Sequence, residues 1–313
     1  MATSGSVDFS ISRDDIITDA LQMLGEGAEG ETISGDRMDA CSRRLNMMVK
    51  AWMAGGAKLW AMKQATLFLT VGTASYSLGA TGTHCTDTYV QTTLSTDEAL
   101  GSTSLSLTST TGMSASDNIG IVLDDGSIHW TTISGAPGAP TTIATGLASA
   151  ATSGNVVFTY TTKINRPQRI DTEAAYWRSS ATQDTPVKIL SRAEYAQLAN
   201  KTTQGKIVQA FYDPQLTNGI LSVWPTPDSS SDVLRFWYER ILEDFDAAAN
   251  TPDFAIEWGE ALIYGLADRL APSAGVSMQE RAYFKQEAAE KLAICMGYDR
   301  ENASTFFQPD MRG

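Results

Sequence analysis

The chain has 313 residues, 42% of them hydrophobic and 19% charged, which describes an ordered globular protein long enough for a buried core and excludes a disordered one. Its formal net charge of −13 opposes nonspecific nucleic-acid binding, which needs lysines and arginines to displace counterions from phosphates. No apolar run reaches the roughly 18 residues of a membrane span, and Met1 to Ser12 lacks the basic and apolar regions of a secretory signal. Cys41, Cys85 and Cys295 are odd in number, far apart and without CxxC pairing, so they are read as reduced thiols.

The N-terminal flank reads as a helical hairpin. Ser12 is a cap, Asp14 and Asp15 suit the first turn, and Ile16, Ile17, Ala20, Leu21 and Leu24 form one apolar face ended by Gly25. Ser34 caps a second helix in which Met38, Cys41, Leu45, Met48, Val49 and Trp52 keep the 3.6-residue period until Gly55-Gly56. Met38, Met47, Met48 and Met53 suit core filling, with partner-facing positions as the alternative. Strand character follows in Ala65 to Val71 and in Ser75 to Gly79.

Between Lys63 and Lys163 there is no lysine or arginine, and Thr, Ser, Gly and Ala dominate. Such an abrupt change of texture reads as an inserted domain. Strands are expected at Ser104 to Thr108 and Val156 to Tyr160, with a hairpin joining Ile119–Leu123 to Ile128–Ile133 through Asp124-Asp125-Gly126. Short strands at this spacing suggest a small sandwich or barrel. Beyond Asn165, Ser191 caps a short helix, and strands are expected at Ile207–Tyr212, Ile220–Trp224 and Val233–Tyr238. Pro225 and Pro227 stop the middle one. A helix from Pro252, behind the cap Thr251, buries Phe254, Trp258, Leu262, Leu266 and Leu270 before Pro272. A second runs from about Ser277, and Tyr298 to Gly313 has no periodicity.

The expected fold class is therefore α+β: a mainly helical core with a small β-sheet, plus an inserted all-β domain. The division is 1–79, core helices and first strands; 80–163, β-insert; 164–297, core strands and C-terminal helix pair; and 298–313, extended tail.

Residue types with chemical potential are few. His84, Cys85 and Asp87 sit too close along the chain to converge on a metal, and no second cluster completes four ligands. His129 reads as a strand residue beside Trp130. Asp124-Asp125-Gly126 lacks the later ligands of a calcium loop. No nucleophile elbow, phosphate loop or dinucleotide fingerprint occurs. Glu243, Asp244 and Asp246, or Glu257 and Glu260, are the carboxylates a glycosidase would need, but surface acids near a helix start explain them. No catalytic residue, cofactor or metal is expected. Trp52 and Trp258 fall on apolar helix faces and read as core.

Several ordered segments carry a resemblance. They are Leu45 to Trp52 followed by Leu59-Trp60, Tyr76-Ser77-Leu78-Gly79, Arg166 to Ile170, Ser191 to Tyr195 with Lys201, and Phe211 to Gln215. Leu221 to Asp228 (LSVWPTPD, with Trp224, Pro225 and Pro227) is the most distinctive, before Trp258 to Ala271 and Phe307 to Asp310. Together they resemble the podovirus head-to-tail adaptor family, also called tail accessory factors or packaged-DNA stabilisation proteins. The departure from the family is the insert, about Ala80 to Lys163, which compact relatives lack or replace.

The resemblance implies a virion protein of the phage neck, assembled in the host cytoplasm and forming a ring of about twelve copies under the portal protein. It implies a platform for the next tail protein (nozzle or hub) and a channel through which DNA passes without specific binding. The family's tails reach the portal, which places that contact at Phe306, Phe307, Gln308, Pro309, Asp310 and Arg312. A peptidoglycan hydrolase, or a glycan-binding module in the β-insert, is the alternative.

Overall fold

The computed structural model describes residues 5–6, 8–27, 32–55, 59–180 and 183–298. Five α-helices are present among them: α1 (Arg13–Met23), α2 (Gly35–Ala54), α3 (Arg192–Ala196), α4 (Gly259–Ala274) and α5 (Met278–Tyr298). The strands are β1 (Met62–Phe68), β2 (Ser75–Leu78), β3 (Cys85–Thr86), β4 (Val90–Thr93), β5 (Ser104–Leu105), β6 (Asn118–Val122), β7 (Ile128–Thr132) and β8 (Thr141–Thr142). They continue as β9 (Val156–Tyr160), β10 (Arg169–Ser180), β11 (Gln183–Pro186), β12 (Lys188–Ile189), β13 (Gln209–Asp213), β14 (Gly219–Trp224) and β15 (Val233–Glu239). Contacts divide the chain into a helical unit, 1–61 with 242–313, and a β unit, 62–241.

The helical unit is organised by α4, which packs against α1, α2 and α5. Serine caps set the ends: the Ser12 and Asp15 side chains close a capping box on α1, and Ser34 caps α2. Both helices begin where the sequence signals them. The helix after Thr251 does not. Residues 251–255 form a loop and Ile256–Trp258 a 3-10 turn, so α4 starts only at Gly259. It then runs through Pro272 to Gly275, which takes the left-handed conformation at φ +75°. Gly265 sets the α2–α4 approach: a Cβ there would lie 2.8 Å from the Trp52 ring and 2.9 Å from Met48 Sδ.

The β unit is where the expected fold class fails. A mainly helical core with a small sheet is contradicted, because strands in several sheets dominate and the five helices account for only about 28%. Outside the insert the chain builds two sheets rather than one small one. The first has the order β11-β10-β15-β1-β3 and the second β12-β13-β14-β2. All pairs are antiparallel except β12 with β13. The physical reason is long-range pairing. β1 joins β15 from Met62↔Glu239 to Phe68↔Val233, across about half the chain. β10 pairs with β15 on its other side.

A core of Leu67, Leu69, Tyr76, Trp177, Leu221, Val223, Leu234 and Phe236 joins these two sheets. The segment 85–160 adds a third sheet, β4-β9-β6-β7, and a two-stranded ribbon, β5-β8. Its own core holds Leu94, Leu105, Ile119, Ile121, Ile133 and Val157. Successive strand residues point to opposite faces. Leu67 thus serves the core between the first two sheets, while Phe68 packs with Val122, Phe158, Tyr160 and Val233 against the third.

Candidate functional site

In the helical unit, four rings converge. Phe254, from the loop before α4, lies 5.0 Å from Trp60, 5.6 Å from Trp258 and 6.4 Å from Trp52, and Trp52 lies 6.2 Å from Trp258. Three of the six motif residues expected in the core thus meet around a fourth ring. Trp258 is buried, and the buried Trp60 Nε1 has no hydrogen-bond partner among the described residues. Beside this cluster is an apolar cleft of about 220 Å³ lined by Phe9, Ile11, Phe254, Ile256 and Leu262, with Ser10 and Thr251 among its polar members. Sequence reasoning missed it, because its walls come from segments about 240 residues apart.

Next to it, and sharing Thr251, is an acidic pocket of about 330 Å³ lined by Glu243, Asp244, Asn250 and Asp253. This is where two of the proposed glycosidase carboxylates sit. Asp244 pairs with Lys50 at 2.7 Å, and Asp253 accepts from the Glu243 backbone N–H at 3.0 Å. Asp246 instead accepts from Asn250 Nδ2. Glu257 lies in the 3-10 turn before α4 and Glu260 in the first turn of α4, where Glu260 pairs with Lys291 of α5 at 2.8 Å.

Helix α5 touches its own unit along one stripe. Phe284, Leu292 and Cys295 face inward, and Cys295 Sγ lies 3.5 Å from the Glu257 carbonyl. The outward residues include Tyr283, Ile294 and Met296, with Ile294 61% exposed.

In the β unit, the chemically capable groups are tied into the fold. His84 stacks on Trp130, with centroids 3.9 Å apart and planes 3° from parallel, and its Nδ1 meets the Tyr160 hydroxyl. Burial, aided by the Lys163 charge, pushes its pKa down to about 4, so the ring is neutral at physiological pH. Cys85 is sealed in the core and burial raises its thiol pKa well above normal, away from the reactive thiolate. Asp87 does not join them; it accepts from the Tyr238 hydroxyl at 2.8 Å and faces Lys63 at 3.5 Å. His129 is a strand residue opposite Ile121, with Nε2 toward Thr145.

Asp124 and Asp125 form the expected hairpin turn, with Gly126 at φ +81°. Asp124 accepts from the Thr152 backbone, the Thr152 hydroxyl and the Asn155 amide, which lower its pKa. Among the described residues no group of three or more His, Cys, Asp or Glu side chains is placed to hold a metal.

Trp224, Pro225 and Pro227 are pinned as a joint. Trp224 Nε1 donates to the Asn200 carbonyl at 2.6 Å, and the Pro227 carbonyl accepts from Gly72 at 2.9 Å. The Thr226 backbone pairs with Thr203 and Gly205. Nearby Asp232 is buried, and its pKa is pushed up to about 6 by burial and the Asp228 charge, against a lowering by Lys206. The proposed portal-contact residues, Phe306, Phe307, Gln308, Pro309, Asp310 and Arg312, lie outside the described residues.

Comparison of the chain with family models and with curated proteins gave no match.

Proposed function

We propose that the chain is a structural, non-enzymatic head-to-tail connector of a tailed-phage virion, a ring protein beneath the portal that continues the DNA channel and docks the next tail component. The observation that carries this reading is the division of labour between side chains. His84, Cys85, Asp87 and Asp124 are engaged in internal packing and hydrogen bonds. Helix α5, by contrast, leaves Tyr283, Ile294 and Met296 facing water and leads directly into the C-terminal segment. Exposed apolar side chains on a helix held along one stripe suit contact with another chain. The ordered resemblance of the flanks, and above all LSVWPTPD, supplies the identity of that neighbour as a portal. A net charge of −13 suits a channel wall that repels phosphates and lets the genome slide.

The test is mass photometry of the chain alone and mixed with its cognate portal. A monomer that saturates at about twelve copies per portal is expected, the copy number that the resemblance implies for a ring with heterologous interfaces. A chain that stays monomeric beside the portal rejects the proposal. The acidic pocket of Glu243, Asp244 and Asp253 is the observation favouring a peptidoglycan hydrolase. A zymogram with the purified chain separates that reading, and no clearing is expected.

A further inference from the structure

We infer that the apolar cleft of the helical unit, with the acidic pocket beside it, receives the first turns of α5 from a second copy of this chain. The cleft holds about 220 Å³, and its mouth is unfinished: Phe9 is 75% exposed and Ile256 47% exposed. The acidic pocket adjoins it at Thr251. The stretch that builds both walls is acidic. From Ile241 to Asp268 the chain carries seven carboxylates and no lysine or arginine. Lys50, brought in by α2, pairs with one acid of the pocket, Asp244. An occupant must therefore put an apolar group into the cleft and cations next to it.

The start of α5 has that chemistry on one stripe. Met278, Arg281, Ala282 and Lys285 stand at i, i+3, i+4 and i+7, and all four are exposed. Met278 is 88% exposed. Its flexible thioether suits an irregular apolar gap. A cavity of about 150 Å³ already accepts benzene, so the cleft has room for it. Glu280, the acid of these first turns, is held by the helix cap, where it accepts from Ser277 N at 2.8 Å. Among the described residues the ion pair of α5 is Lys291 with Glu260, which leaves Arg281 and Lys285 without one. Like charges four residues apart on a helix repel, and an acidic partner surface relieves that repulsion. At 1.5 Å per residue, Arg281 and Lys285 lie about 4.5 and 10.5 Å along the axis from Met278. A methionine seated in the cleft thus brings both cations to the adjoining pocket, as a helix docks in a groove.

Within one copy the two surfaces are apart, since α5 packs along α4 and Met278 stays exposed. The contact is heterologous: one surface of a copy meets a different surface of the next, so it continues from copy to copy. Its use as the joint between neighbours in a ring rests on the proposed function, whereas the docking itself needs no portal.

Sedimentation velocity of the full-length protein without portal, from about 1 to 500 μM, tests the docking. The parent's average sedimentation coefficient is expected to rise with concentration. Met278→Asp and Ile256→Asp should each weaken self-association at least about ten-fold, as loss of an anchor does. Met278 is the first residue of α5, where a carboxylate favours the helix, and Ile256 is half exposed, so both variants should keep the parent's far-UV spectrum. Arg281→Glu/Lys285→Glu should weaken it too. Mixed one to one, the two Asp variants should form a heterodimer and stop there, because one keeps the cleft and the other keeps the helix stripe. A parent that stays monomeric across the range overturns the inference. So does self-association that survives either Asp substitution, or a mixture of the two variants that fails to pair. None of these results bears on whether rings form on a portal, which mass photometry reads separately.

Discussion

The helical and β units hold themselves together by different routes. In the helical unit one helix, α4, collects α1, α2 and α5, and each contact is a stripe of side chains read at helical spacing. In the β unit no strand has that role. β15 lies between β1 and β10, the second sheet covers one face of the first, and the segment 85–160 covers the other through Phe68, Phe158 and Tyr160. The lysine- and arginine-free segment is therefore packed against the sheet from which it emerges. A change of composition along a chain and a seam in its packing are separate things, because composition reports solvent exposure and packing reports burial.

The sharpest way to break this contrast is Phe68→Ala. Phe68 is buried and its ring contacts Tyr89, Trp130, Phe158 and Tyr160, four aromatic residues of the segment. Truncation of a buried phenylalanine costs about 3–5 kcal/mol, through lost transfer energy and the cavity left behind. Urea unfolding followed by amide exchange should show that loss at Ile119, Ile121 and Phe158, with Leu266 and Leu270 of α4 unaffected. Unchanged protection at Ile119 and Ile121 would mean that the segment's own core, with Leu94, Leu105 and Val157, suffices without the sheet.

The contrast also explains what could be read from the sequence. α1, α2, α3 and α5 were legible, because Ser12, Ser34, Ser191 and Ser277 announce them and the apolar period is local. β14, β15 and the Asp124–Gly126 hairpin were legible for a similar reason, since alternation and turn chemistry lie within a few residues. β10 was not, because Arg169, Asp171, Glu173 and Arg178 give it a polar texture. Its strand state comes from pairing with β15 and β11. Missing β10 hid the five-stranded sheet and made the core look helical. The site behaved likewise. Trp52, Trp60 and Trp258 stood out as residues, but Phe254 brings them together from a stretch expected to be helix, and Phe9 joins the cleft from the other end of the chain.

A second effect, smaller and dependent on pH, belongs to the β unit. Asp232 is buried beside Asp228, and its pKa is raised to about 6 from an ordinary value of 3.8. The folded state therefore holds a proton that the unfolded state has released between those values. Stability must fall as pH rises through that window and stay lower above it. The size is on the order of 1–3 kcal/mol, since one pKa unit corresponds to about 1.4 kcal/mol and water relieves part of the burial. Asp232→Asn removes the charge, so the β unit should gain about 1–2 kcal/mol at pH 7.5 while changing little at pH 4. Thermal unfolding at the two pH values checks this. An Asn variant that parallels the parent at both would remove Asp232 as a source of pH dependence.

The smallest expected effect tests whether the helical unit depends on its local signals. Ser12 Oγ accepts from the Asp15 backbone N–H at 3.2 Å, and the Asp15 carboxylate accepts from Ser12 N at 2.9 Å and from Ser12 Oγ at 2.7 Å. The Ser12 hydrogen bonds, side chain first and backbone second, hold the Asp15 carboxyl below its usual pKa. Its stabilising share is thus present above the unfolded value and is lost as pH falls through the lowered one. Ser12→Ala should cost about 1 kcal/mol at pH 7, within the range of about 0.5–2 for removing such a cap, and the difference from the parent should narrow at strongly acidic pH. Faster exchange should be confined to the first turn of α1, because the Arg13 N–H keeps its bond to the Asn250 carbonyl at 2.8 Å and Ile16 and Ile17 stay buried. If the loss spreads to α4, then α1 is held by its cap as much as by its apolar face, and the helical unit is more cooperative than its stripe-by-stripe packing implies.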